Sequence, residues 1–175
     1  PDWLCHSTQP FGDSSGCYAY RVGLLHDLVK DFWGKDPEPL ESFVEASQIV
    51  QAEAMKYFIE NFRMRKGAKT GIIWWNMVDC WPQFSEAAVD YYGCRKLAFH
   101  YIRNVQQPVL MMFSEPEAWQ IRLHGINDLN HPCQVRYRVT DVETGTEALA
   151  GEALLEAGES KPVDAMKISQ GEQHI

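Results

Sequence analysis

The chain has 175 residues, a formal net charge of -8 and 45% hydrophobic residues, a composition typical of a globular protein. This balance excludes collagen, coiled coil and disorder. No apolar run approaches the roughly 18 residues of a membrane-spanning helix, and no signal sequence is recognised at the N-terminus. Because no stripe of Lys and Arg offsets the acidic charge, neither nucleic acid nor a membrane is an expected partner.

The cysteines indicate a reducing compartment. Their number is odd, and the chain is long enough to bury a core without disulfides, so we interpret them as reduced thiols. A cytoplasmic location is therefore expected, with the periplasm as the alternative. The first residue is Pro rather than Met, which suggests a piece of a longer chain. The cysteines are Cys5, Cys17, Cys80, Cys94 and Cys133.

Apolar residues recur at helical spacing in two early segments. One runs from Tyr18 to Phe32, and a longer one runs from Phe43 to Phe62. The longer segment begins with acidic residues and ends with basic residues and Gly67, which suits the helix dipole and the C-cap. Two amphipathic helices are therefore predicted.

An almost wholly apolar run, GIIWW, follows at residues 71–75. Short runs of β-branched and aromatic residues predict a strand covered on both faces, as in a parallel sheet. After an irregular segment, a third helical stripe runs from Leu97 to Val105. The order helix, strand, loop, helix predicts a layered α/β fold.

Beyond Gln107 the apolar period becomes two, as in half-buried antiparallel strands. The alternation runs from Trp119 to Leu123 and from Cys133 to Val139. We therefore predict an α/β part over residues 1–106 and an all-β part, with the architecture of a sandwich, over residues 107–175. Since a βα barrel takes about 250 residues and an immunoglobulin-like sandwich about 100, the parts are either incomplete domains or one unusual α+β domain.

Two further motifs have weak support. Ser14 lies in a G-x-S-x-G sequence, but the residues before it are polar rather than a buried strand, so a solvent loop is favoured over a nucleophile elbow. The cysteines and histidines lack the short paired spacing of a structural zinc site, so no metal and no cofactor is expected. The sets considered are Cys5 with His6, and Cys80, Cys94 and His100.

The segment from Trp74 to Gly93 is the strongest candidate for a binding site. It holds three tryptophans, three carboxylates and two tyrosines, with no Lys, Arg or His. If a parallel strand precedes it, the segment leaves the carboxyl end of that strand, where α/β folds place their sites. Indole faces stack on the C–H faces of sugars and carboxylates accept hydroxyl protons, so a sugar is the expected ligand. The alternative is that the aromatic residues form core and the acids are solvated.

The same residues resemble glycoside hydrolase family 2, and within it the β-mannosidases. The similarity is carried by GIIWWN at 71–76, VDCWP at 78–82 and DYYG at 90–93, followed by Lys96. These look like the eighth strand, the following loop and the last helix of the family's barrel. The helix that contains Ser47-Gln48 and Val50-Gln51, and the later strands, also resemble these enzymes.

The resemblance implies the terminal part of a (β/α)8 TIM barrel followed by part of an immunoglobulin-like β-sandwich. It also implies a retaining exo-β-glycosidase of β-mannosidase or β-galactosidase type, acting on a terminal β-linked sugar. Such enzymes use two carboxyl groups about 5 to 5.5 Å apart, both glutamates in this family. Both would precede Pro1, so no catalytic residue is expected in this chain.

The resemblance implies instead that the chain supplies part of the wall of the terminal-sugar subsite. Trp75 aligns with a tryptophan that lies against the sugar ring, and a cis peptide bond is expected between Trp75 and Asn76. Asn76 and Asp79 match polar positions beside it, although Asp79 is equally suited to hold the loop. Trp81 is a weaker candidate. At Glu86 the β-mannosidases more often have an aromatic residue, which leaves the sugar open.

Two other interpretations stay open. The chain could be a self-contained carbohydrate-binding or scaffold module without a catalytic role, or a serine hydrolase that uses Ser14. If it is instead part of a barrel, the long helix and residues 72–74 would have lost apolar partners. Self-association of the chain is then expected.

Overall fold

The computed structural model describes residues 19–35 and 37–168. Helices come first in these residues and strands follow. The helices are α1 (Ala19–Trp33), α2 (Leu40–Met64) and α3 (Leu97–Val105), and the strands are β1 (Val109–Phe113), β2 (Gln120–Asn127), β3 (Cys133–Thr140), β4 (Glu147–Leu155) and β5 (Ser160–Lys167).

The described residues divide into two compact units. The first, here called the helical unit, combines residues 19–57 with Ile73–Asn104. The second, here called the strand unit, combines Phe58–Ile72 with residues 105–168. Most of α2 therefore belongs to the helical unit, and its last turns belong to the strand unit.

The three helices predicted from apolar spacing are confirmed, with ends shifted by a few residues. In the helical unit, Leu25 and Val29 of α1 pack against Phe43, Ala46 and Val50 of α2. These residues lie three or four positions apart on their own helix, so each helix presents one apolar stripe to the other. Val29 is completely buried in this contact.

The prediction of a strand over residues 71–75 is wrong. This run joins no sheet within the described residues. Ile73 is 99% exposed and Trp75 is 73% exposed, so the run is not covered on both faces either. A strand needs neighbours that complete its backbone hydrogen bonds, and none of the described strands pairs with this segment. The apolar composition alone does not make it a strand.

The strand unit contains two antiparallel sheets, one with the order β1-β2-β5 and one formed by β3 and β4. Ile126 of β2 lies opposite Leu110 on one side and Ser160 on the other. In the second sheet, Tyr137 of β3 lies opposite Gly151 of β4. The predicted antiparallel strands in this part of the chain are thus confirmed.

Side chains of the two sheets meet within the strand unit. Leu155 of β4 is completely buried and lies so close to Gly125 of β2 that an added Cβ would come within 2.9 Å of its side chain. The Tyr137 hydroxyl donates to Oδ2 of Asp164 at 2.9 Å, which links β3 to β5. Burial, together with the accepting carboxylate of Asp164, raises the pKa of Tyr137.

A buried asparagine holds the turns of the strand unit. Asn127 ends β2 and is completely buried. Its Nδ2 donates to the carbonyl oxygens of His131, Leu155 and Glu156 at 2.9, 3.1 and 3.1 Å. Its Oδ1 accepts the N–H of Leu129 at 2.9 Å. The amide group of one side chain therefore satisfies backbone groups from two separate turns.

Arg63, in the last turn of α2, makes a second set of polar contacts in this unit. Its guanidinium donates to the carbonyl oxygen of Val105, to that of Gln107 at 2.8 Å and to Asp128 at 2.7 Å. Lys66 also donates to Asp128. Burial by itself would raise the pKa of Asp128, but the hydrogen bonds and charges of Lys66 and Arg63 outweigh it and lower this pKa.

Candidate functional site

The segment from Trp74 to Gly93, here called the aromatic loop, exposes large side chains. Trp75 is 73% exposed, Trp81 50% and Tyr92 75%. Aromatic side chains usually bury most of their area in a folded domain. These three rings are therefore not core within the part of the chain that the structure describes.

Backbone hydrogen bonds fold the aromatic loop back on itself. The N–H groups of Ala88 and Val89 donate to the carbonyl oxygens of Asn76 and Met77 at 3.2 and 2.9 Å. The N–H of Asp79 donates to the Val89 oxygen at 3.1 Å. The first and last stretches of the loop thus lie side by side and run parallel.

Trp75 and Asn76 are joined by a cis peptide bond, as the resemblance predicts. Trp75 offers a largely exposed indole. Oδ1 of Asn76 is buried and has no hydrogen-bond donor among the described residues. Two predicted site residues thus combine a flat apolar face with an unpaired acceptor.

Asp79 is buried, and its carboxylate accepts hydrogen bonds from other side chains of the protein. Oδ1 accepts hydrogen bonds from Nε2 of Gln83 at 3.0 Å and from the Ser85 hydroxyl. Oδ2 accepts one from the ammonium of Lys96 at 3.3 Å. Of the two roles predicted for Asp79, this geometry favours the holding of the loop, through side-chain rather than backbone donors. Its contact with a substrate stays a prediction.

Lys96 is a functional candidate that the sequence reasoning missed. Its ammonium also donates to the Ser85 carbonyl oxygen at 3.1 Å, and its N–H donates to the Ala88 carbonyl oxygen at 3.0 Å. One signal could have identified it. The loop contains no cation, so a carboxylate buried inside it needs one from outside, and Arg95 and Lys96 are the first cations that follow.

Two glutamines of α2 contact the start of α3 and the aromatic loop. Oε1 of Gln48 accepts the N–H of Leu97, the first residue of α3, at 3.0 Å. Nε2 of Gln51 donates to the carbonyl oxygen of Glu86. Residues three apart share one face of a helix, so both contacts come from the same face of α2. The resemblance includes both glutamines but assigned them no role.

Asp90 fixes the turn at the end of the loop. Its Oδ1 accepts the N–H groups of Tyr92 and Cys94 at 2.9 and 2.8 Å. Gly93 has a φ of 84°, a conformation that glycine adopts readily. The turn presents Tyr91 and Tyr92, whose rings meet edge to face at 5.3 Å. A second acid of the loop is thus engaged in holding its shape.

The other candidate chemistry gains no geometric support. Ser14 and the pair Cys5 and His6 lie outside the described residues. Cys80, Cys94 and Cys133 are free thiols. Over residues 19–35 and 37–168, no three His, Cys, Asp or Glu side chains are placed to hold a metal ion. Over the same ranges, no helix has both the length and the apolar character to cross a membrane.

A concavity of about 600 Å³ lies on the sheet of β3 and β4, and none of the predicted site residues lines it. Its lining includes Arg136 and Glu152, which pair with each other at 2.8 Å. Both side chains are largely exposed, at 83% and 52%, so water competes with any ligand for them. Ligand sites usually enclose their ligand, whereas this concavity is open and has four charged residues in its lining.

Comparison with curated proteins finds β-mannosidases, while no protein-family model matches the chain. β-Mannosidase B of Aspergillus niger is 30% identical over 125 residues, which cover 62% of this chain and 15% of that enzyme. β-Mannosidase B of Aspergillus oryzae is 37% identical over 86 residues, 47% of this chain and 10% of that enzyme. The chain thus spans a small part of the length of these relatives.

Solved structures give a similar result for the fold. The β-D-mannosidase from Dictyoglomus thermophilum has a TM-score of 0.73 at 21% identity, over 83% of this chain and 18% of that one. The exo-chitosanase of Amycolatopsis orientalis has a TM-score of 0.62 at 17% identity, over 90% of this chain and 19% of that one. The mixed helix and sheet fold resembles part of these enzymes. Sequence and fold together confirm that the chain is similar to part of a β-mannosidase of glycoside hydrolase family 2.

Proposed function

We propose that the chain is part of a retaining exo-β-glycosidase of β-mannosidase type and forms part of the wall that binds the terminal sugar. The observation that carries this proposal is the indole of Trp75, which is 73% exposed and directly precedes Asn76. An indole stacks on the C–H face of a pyranose. The identity of 30% to β-mannosidase B supports a glycoside as the substrate.

We assign residues 1–106 to the end of a TIM barrel and residues 107–175 to the start of an immunoglobulin-like sandwich. The order of helices followed by two antiparallel sheets supports this assignment. In a complete barrel, residues 71–75 would gain strand neighbours on both sides. The 99% exposure of Ile73 fits a segment whose partners belong to the rest of the enzyme.

The proposed reaction needs an acid that protonates the leaving oxygen and a carboxylate that attacks the anomeric carbon. In the aromatic loop, Asp79 and Asp90 are engaged in hydrogen bonds that hold the fold. The resemblance to glycoside hydrolase family 2 implies that both catalytic glutamates lie on earlier strands, so we place them in other parts of the enzyme. Trp75, Asn76 and Trp81 would hold the sugar while those glutamates act on it.

The test compares two tryptophans in a full-length enzyme that contains this chain. Trp75→Ala is expected to lower kcat/KM for nitrophenyl β-mannoside by about 30-fold or more, because removal of an anchoring ring costs about 2 kcal/mol. Trp119→Ala is the matched control, since Trp119 is also exposed, at 65%, and lies in the strand unit. Equal activity of the two variants would remove Trp75 from the site.

A non-catalytic carbohydrate-binding module is the second candidate, favoured by the exposure of the Trp81 and Tyr92 rings. Sedimentation of the 175-residue chain separates the two. A barrel segment with open apolar faces is expected to self-associate, whereas a monomer with a sharp melting transition would favour the module. Under the first proposal the isolated chain also hydrolyses no aryl β-glycoside.

We further propose a cytoplasmic location for the whole protein, with the periplasm as the alternative. The free thiols of Cys80 and Cys94, both exposed, fit a reducing compartment. Fractionation of the source cells followed by detection of the protein tests this. Recovery with the periplasmic fraction would contradict the cytoplasmic assignment.

A further inference from the structure

The carboxylate of Asp79 and the ammonium of Lys96 form a buried ion pair inside an irregular segment. The two groups are 3.3 Å apart, and their side chains are 1% and 18% exposed. Removing two charges from water is costly, and their attraction offsets this only with good geometry and further hydrogen bonds. Further hydrogen bonds are present, since Gln83 and Ser85 also donate to the carboxylate.

Lys96 contacts both stretches of the aromatic loop. Its ammonium reaches Asp79 in the first stretch and the carbonyl oxygen of Ser85 in the second. Its N–H donates to the carbonyl oxygen of Ala88. One residue thus adds side-chain contacts to the backbone hydrogen bonds that already join the two stretches.

The contacts of Lys96 reach the proposed sugar wall through one intervening residue. Ala88 accepts a hydrogen bond from the N–H of Lys96 at 3.0 Å and donates its own N–H to Asn76 at 3.2 Å. Asn76 follows the exposed Trp75 directly. If loss of the ammonium contacts moves Lys96, its N–H moves with it, and Ala88 passes this displacement to the backbone that carries both predicted sugar contacts.

We propose that Lys96 is a positioning residue, which acts through Asp79, Ser85 and Ala88 to orient Trp75 and Asn76 toward the sugar. This inference rests on the function proposed above. Without the ammonium, the Asp79 carboxylate loses its cation and the Ser85 carbonyl oxygen loses its donor. Water then has to solvate both groups, and the two stretches of the loop separate.

The experiment uses a full-length enzyme containing this chain, assayed with nitrophenyl β-mannoside well below its melting temperature. Lys96→Met is expected to lower kcat/KM about 10- to 100-fold, as misplacement of substrate contacts commonly does. Lys30→Met is the matched control, since Lys30 is exposed on α1, and it should keep wild-type kinetics. The double variant Asp79→Asn, Lys96→Met leaves no unpaired buried charge and should recover part of the loss.

Amide hydrogen exchange supplies a readout that does not depend on the sugar. Lys96→Met should accelerate exchange at Asp79, Ala88 and Val89, while the amides of β2 keep their rates. If Lys96→Met does not fold, kcat/KM and amide exchange are both measured on the double variant. It should show a smaller loss of activity with the same local increase in exchange.

The outcomes separate this inference from the proposed function. Wild-type kinetics or unchanged exchange in the Lys96 variants, while Trp75→Ala is impaired, would overturn the positioning role and leave the function standing. Wild-type kinetics in Trp75→Ala would instead overturn the proposed sugar wall, whatever the Lys96 variants show.

Discussion

Asp79 in the helical unit and Asn127 in the strand unit are the two buried polar side chains of the described residues, and they hold their surroundings in different ways. Asn127 is neutral and bonds to backbone groups alone. The carboxylate of Asp79 is charged and bonds to the side chains of Gln83, Ser85 and Lys96.

This difference determines what each arrangement requires. Backbone carbonyl oxygens are present whatever residue stands at their position, so the contacts of Asn127 need one particular side chain. The contacts of Asp79 need several, and one of them must be a cation. The more demanding arrangement lies in the aromatic loop, where the backbone that carries the exposed rings is itself neither helix nor strand.

The largest expected effect on stability is at the ion pair. In the 175-residue chain, Lys96→Met should lower the free energy of unfolding by about 3 to 5 kcal/mol, because it leaves the Asp79 carboxylate buried without its cation. Urea denaturation followed by circular dichroism measures this. The double variant Asp79→Asn, Lys96→Met should recover part of the loss. A loss no greater than the roughly 0.5 kcal/mol expected for the surface variant Lys30→Met would show that the pair is not coupled to folding.

Asn127→Ala tests the neutral arrangement and should have the next largest effect. It removes the donor to three carbonyl oxygens and the acceptor of the Leu129 N–H, which should cost about 2 to 3 kcal/mol after water replaces some of the bonds. Asn130→Ala, at an exposed neighbouring position, is the control. A loss larger than that of Lys96→Met would reverse the ranking of the two arrangements.

The period at which apolar residues recur in the sequence predicted the helices and strands that bury one face. The spacing of apolar residues gave the three helices, and alternation gave β2 and β3. β4, with the sequence EALAGEALL, is composed mainly of helix formers and shows how pairing overrides local preference. It is a strand because its residues pair with β3, from Glu147 opposite Thr140 to Leu155 opposite Cys133. Residues 71–75 show the converse, a strand-forming composition without partners.

The candidate site was predictable only where a resemblance could supply it. The resemblance identified Trp75 and Asn76 and the cis bond between them, which no period or composition indicates. The pairing of Asp79 with Lys96 joins residues 17 positions apart across irregular backbone. Such a pairing leaves no periodic trace in the sequence, because it depends on the path of the loop rather than on the regular spacing of a helix or strand.

Gly151→Ala tests how closely the strand unit is packed around the ring of Tyr137. A Cβ at Gly151 would overlap the ring and hydroxyl of Tyr137 on the paired strand. Displacement of this ring should cost about 1 to 3 kcal/mol in the free energy of unfolding. Gly71→Ala is the matched control, since nothing lies within 4 Å of its added Cβ. Equal unfolding midpoints for the two variants would show that the Tyr137 ring moves aside freely.

The smallest expected effect comes from Asp128, a carboxylate that also pairs with cations but is 41% exposed, in contrast to Asp79. Burial opposes its ionisation, but Lys66 and Arg63 outweigh burial and lower its pKa below the ordinary value of 3.8. A lowered pKa means that the ionised group stabilises the fold above pH 3.8 and that this contribution is lost as the pH falls through the lowered pKa. Solvent screening limits this contribution to about 1 kcal/mol or less.

Urea midpoints measured from pH 6 to about pH 2.5 should therefore fall more steeply in the wild type than in Asp128→Asn. The control Asp31→Asn, at an exposed position on α1, should follow the wild type. Parallel curves for wild type and Asp128→Asn would show that Arg63 and Lys66 do not stabilise this charge.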